Sequence, residues 1–77
     1  MTDIQKLGAN ERLLRATQKD ILKLQNPLRA VESKFMLIFP DKDEAWVRET
    51  MIRARQADLV NYQSIVEYYR KLLGMRV

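Results

Sequence analysis

Seventy-seven residues with a net charge of +4 and a 47% hydrophobic content set narrow limits. Such a chain makes one small domain, residues 1–77, and a core of that size supplies only about 3–5 kcal/mol without a staple. No cysteine and no histidine are present, which removes disulfides and the usual zinc ligands, and with them Ser–His and Cys–His nucleophile pairs. The staple that remains is association with another chain.

The first residues, Met1-Thr2-Asp3-Ile4-Gln5, lack the charged-then-apolar pattern of a signal peptide. The longest apolar run, Phe35 to Pro40, is far short of the roughly 20 residues that span a bilayer. A cytoplasmic protein without membrane contact is therefore expected.

In chain order, residues 1–9 are expected to be loosely ordered, although Thr2 and Gln5 stand at capping-box spacing. Asn10 is a good N-cap for a first helix running to about residue 25. Asn26-Pro27 ends it, and the same pair suits the start of a second helix, about 27–38. Leu28, Val31, Phe35 and Ile38 would share one face of that helix. Phe39-Pro40 stops it, and Asp41 with Glu44 opens the longest helix, about 43–73. Gly74 is the expected residue beyond its end, with Arg70 and Lys71 in the negative last turn.

The predicted fold is all-α: an antiparallel helical hairpin with a kinked first arm, pairing into a four-helix bundle. A compact three-helix bundle is the alternative. The reason to expect pairing is the third helix. Ile52, Leu59, Tyr62, Val66, Tyr69 and Leu73 form a heptad-like seam, and Ile65, Tyr68 and Leu72 run beside it. Together they make a face wider than one neighbouring helix covers.

In the first half of that helix Arg48, Arg55 and Asp58 share a sector with Ile52 and Leu59. Long arginine stems cover apolar surface, and Arg55 with Asp58 has ion-pair spacing. Trp46 lies nearly opposite that sector, either against the 39–43 turn or at an interface, where Trp and Arg dominate. The expected partner-binding set is Trp46, Arg48, Ile52, Arg55, Asp58, Tyr62 and Tyr69.

A second stripe belongs to the first helix. Arg12, Arg15, Lys19 and Lys23 line the face opposite Leu7, Leu14, Ile21, Leu24 and Leu28. Such a stripe either solvates the helix or tracks phosphates. The plan resembles that of the plasmid copy-control protein Rop, a hairpin dimer that holds RNA.

From Pro40 onward, Trp46-Val47-Arg48-Glu49-Thr50-Met51-Ile52 followed by Arg55 resembles the last helix of the theta subunit of bacterial replicative polymerase. Asn10, Leu13, Ala16 and Pro27 fall at compatible spacing on its first helix. The resemblance covers about a third of the chain. It implies a non-catalytic, protein-binding role for the Trp46–Arg55 segment.

Two glycines cannot build a phosphate-cradling loop, and Asp41, Asp43 and Glu44 do not follow a calcium-loop pattern. No metal, cofactor or small-molecule substrate is expected. The one enzyme reading the residues permit, an anion pocket from Arg48, Arg55 and Asp58, stands behind two binding readings. The first is a non-enzymatic module that binds a partner protein or itself and regulates or stabilises it, as accessory subunits and inhibitors do. The alternative is a basic helical-bundle protein that contacts RNA or DNA backbone.

Overall fold

A computed structural model describes residues 1–75; the last two residues of the expected domain lie outside it. Three helices follow in order: α1 (Asp3–Gln25), α2 (Ser33–Ile38) and α3 (Glu44–Leu72). Among the described residues, α1 packs on α3 and on no other helix. Arg70 near the end of α3 meets Glu11 near the start of α1, while Arg48 near the start of α3 bonds the Leu24 carbonyl near the end of α1. The pair is thus antiparallel, a hairpin with extents of 48 × 22 × 15 Å.

The first helix begins at Asp3 rather than Asn10. Thr2 and Gln5 form a full capping box: the Gln5 amide donates to Thr2 Oγ1 and the Thr2 amide to Gln5 Oε1. Such a cap contributes about 1 kcal/mol, which offsets a similar cost of Gly8 inside the helix. Leu7 is buried, and its apolar transfer ties the early turns to α3. Asn10, the expected cap, instead donates through Nδ2 to the Lys6 carbonyl within the helix.

The expected second helix over 27–38 is corrected to a single short element, Ser33–Ile38. Asn26 Oδ1 accepts the Leu28 amide, and the Arg29 amide turns back onto the Asn26 carbonyl. These local bonds compete with a helix. Side chains of α3 then occupy the groups a helix would need: Arg48 takes the carbonyls of Leu24, Asn26 and Arg29, and Glu44 accepts the Val31 amide. The first arm is the single helix α1 followed by a pinned loop, not two helices joined at a kink. Of the expected apolar face, Val31 and Phe35 are half-buried, whereas Leu28 and Ile38 are exposed.

Asp43, not Asp41, caps α3, its Oδ1 accepting the Trp46 amide at 2.8 Å. At the far end Gly74 adopts φ +72, with bonds from the Gly74 amide to the Lys71 carbonyl and from the Met75 amide to the Arg70 carbonyl. This is a Schellman stop, the left-handed position that favours glycine. The core between the helices is thin: Leu7, Thr17, Ile21 and Leu24 from α1, with Val47 and Val66 from α3. The Thr17 hydroxyl is satisfied by the Leu13 carbonyl.

Candidate functional site

The seam of α3 faces α1 but is only partly closed. Val66 is buried, while Ile52, Leu59, Tyr62, Tyr69 and Leu73 keep intermediate exposure. The parallel line is opener still: Ile65 is intermediate, Tyr68 is 60% exposed and Leu72 54%.

The two long edges of the hairpin differ in chemistry. The Glu11–Arg70 ion pair closes one edge of the seam at 3.4 Å. By helical periodicity, Arg15 and Gln18 of α1 and Gln56, Gln63 and Glu67 of α3 belong to that edge, so it is mostly polar; Ile4 and Leu22 interrupt it. The opposite edge carries Ala9, Leu13 and Ala16 from α1 and Ile65, Tyr68 and Leu72 from α3. Leu13 is 46% exposed there. Lys6 bounds this apolar strip toward the start of α1, and Asp20 with Asp58 bounds it toward the loop end.

The residues predicted for partner binding fall into two groups. Trp46 and Arg48 spend their contacts within the chain. Trp46, 39% exposed, packs edge-on to Phe39 at 5.1 Å, and the Lys42 ammonium lies 5.1 Å from its ring centre. Its packing against the 39–43 turn was the less functional of the two expectations. Arg48 donates to three carbonyls and pairs with Glu44 at 3.2 Å. Arg55 pairs with Asp58 at 3.5 Å, the spacing expected of them. Ile52, Tyr62 and Tyr69 remain on the seam. Leu13 and Ala16, which entered the sequence reading only through the theta-subunit resemblance, and Ala9, which did not enter it, lie on this open edge. The helical wheel of α1 contained that signal, but which side of α1 stays uncovered depends on how α3 sits.

A cleft of about 110 Å³ lies between the end of α1, the pinned loop and α3. Lys23, Arg29, Lys34, Arg48 and Arg55 border it, with Asp20 and Glu32. Its charges are largely spent: Lys34 pairs with Glu32 at 3.2 Å, Arg55 with Asp58, and Arg48 with the loop carbonyls. No group of three or more potential metal ligands occurs among the described residues.

Arg12, Arg15, Lys19 and Lys23 are all exposed on the back of α1. None of the four enters an ion pair found among the described residues. No helix among those residues is long and apolar enough to cross a membrane. Comparison of the chain with known protein families, with curated proteins and with solved structures finds no match. The resemblance of the Trp46–Arg55 segment to the theta subunit therefore rests on those residues alone.

Proposed function

We propose that this chain is a non-enzymatic interaction protein, of the accessory-subunit or inhibitor kind, that works by laying a helical face against another protein chain. One observation carries the reading. The chain exposes 5864 Å², whereas a folded monomer of 9.1 kDa exposes about 4,900 Å². The excess includes large apolar side chains such as Leu13, Tyr68 and Leu72 on one edge. Two helices in a single layer leave that edge wet, and covering it with a partner is the direct remedy. A cytoplasmic setting fits this reading.

The test is the double substitution Tyr68→Glu with Leu72→Glu. Helicity by circular dichroism is expected to persist, because both side chains are more than half exposed, while association with any protein chain, its own copies included, is lost. Full association by the folded double variant contradicts the proposal.

A second reading has an observation of its own. Arg12, Arg15 and Lys19 on the back of α1 are exposed and lie away from α3, and Lys23, also exposed, borders the cleft at the loop end, so all four are available to phosphates in a Rop-like plan. Nucleic-acid binding that weakens steeply with salt and drops on Arg12→Gln with Lys19→Gln supports it; no binding at low salt removes it.

A further inference from the structure

Resting on the phosphate reading of the α1 stripe, we infer that its ligand is double-stranded DNA, held by its phosphates without regard to sequence. The row carries a cost that a merely solvated face does not. Arg12 and Arg15 stand three positions apart, and Lys19 and Lys23 follow at intervals of four. Side chains at these intervals are neighbours on a helix, so the row sets like charges against one another at every step, and each such pair is destabilising. The exposed side of α3 is built the other way, with Arg53 matched by Glu49 one turn earlier at 2.6 Å.

The carboxylates that could neutralise the row are turned elsewhere. Asp3, Glu11 and Asp20 of α1 all fall outside the arc of the four cations. Glu11 has the right spacing for Arg15 but meets Arg70 of α3 at 3.4 Å, and Asp20 borders the cleft at the loop end. Four uncompensated positive charges are left over about 16 Å of helix. A DNA duplex offers about ten phosphates in that length, enough for each cation to find one.

The surroundings of the row select among polyanions. α1 has no aromatic residue, whereas proteins that hold single strands stack the bases on aromatic rings. Between Arg12 and Lys23 the row is flanked by Ala16 and Leu22, which offer no hydroxyl or amide to a base edge or a ribose 2′-OH. Double-stranded RNA is recognised in large part through its 2′-hydroxyls. A row that grips the backbone alone suits the DNA duplex and carries no sequence preference.

The test is fluorescence anisotropy with the intact protein and three probes: a mixed-sequence DNA duplex, its single strand, and the RNA duplex of the same sequence. Four phosphate contacts predict that affinity for the DNA duplex falls about 150-fold between 50 and 200 mM salt. Arg12→Gln with Lys19→Gln is expected to reduce that fall to about 12-fold. Lys19→Glu is expected to weaken binding at low salt tenfold or more and to raise the thermal midpoint, because its repulsion with Arg15 and Lys23 becomes attraction.

A raised midpoint with unchanged binding reduces the row to a solvated face and overturns the proposal. Equal or tighter binding to the single strand or to the RNA duplex overturns the choice of DNA but leaves the phosphate reading standing. Displacement of the duplex by poly-glutamate at equal charge shows that any polyanion suffices, and overturns both. Absence of binding to all three probes at low salt also removes both.

Discussion

The guanidinium of Arg48 donates to the carbonyls of Leu24, Asn26 and Arg29 and meets Glu44 at 3.2 Å, with the side chain only 19% exposed. The planar fork of arginine reaches several acceptors at once, which the single ammonium of lysine does not reproduce. Its bonds satisfy carbonyls that α1 leaves open at its end and hold the 26–32 segment in place. Arg48→Gln is expected to lower stability by about 2–3 kcal/mol, read as a lower urea midpoint, with faster amide exchange at Val31. An unchanged midpoint contradicts the structural role given to this residue. This role was not legible in the sequence. The spacing of Arg48 on α3 shows that it shares a sector with apolar residues, but its acceptors lie about two dozen positions earlier and depend on how the loop folds back. By contrast, Arg55 with Asp58 is local to one helix and was readable from spacing alone.

At the scale of elements, the features that local chemistry decides were the readable ones. The end of α3 follows from Gly74 at positive φ, and its start matches the expected position, with Asp43 rather than Asp41 as the cap. The segment 27–38 departs from the helix its apolar spacing suits because long-range bonds from Arg48 and Glu44 hold its first half open. The start of α1 lies upstream of the expected Asn10 cap, with Gly8 inside the helix. A cap upstream and the buried Leu7 outweigh that glycine. The cost of Gly8 remains recoverable. A Cβ built there meets only the guanidinium tip of Arg12 at 4.0 Å, the movable end of a flexible side chain. Gly8→Ala is therefore expected to stabilise the protein by about 0.5–1 kcal/mol, seen as a higher thermal midpoint. A lower midpoint would mean that the first turns of α1 are not helical in solution.

For the whole molecule, the arithmetic of surface governs. A two-helix layer 15 Å thick cannot place both faces of its helices inside, so a few side chains such as Val47, fully buried, carry the core. The seam of α3 announced in the sequence that more apolar surface exists than one helix covers. Which edge remains open was not legible, because it depends on the side of α1 against which α3 settles, shown here by the Glu11–Arg70 pair. The most direct test uses the unaltered protein: its mass in solution by sedimentation equilibrium, from micromolar to near-millimolar concentration. Reversible association to twice the chain mass is the predicted result. A single-chain mass across the whole range would contradict the expectation that this hairpin pairs with a second copy.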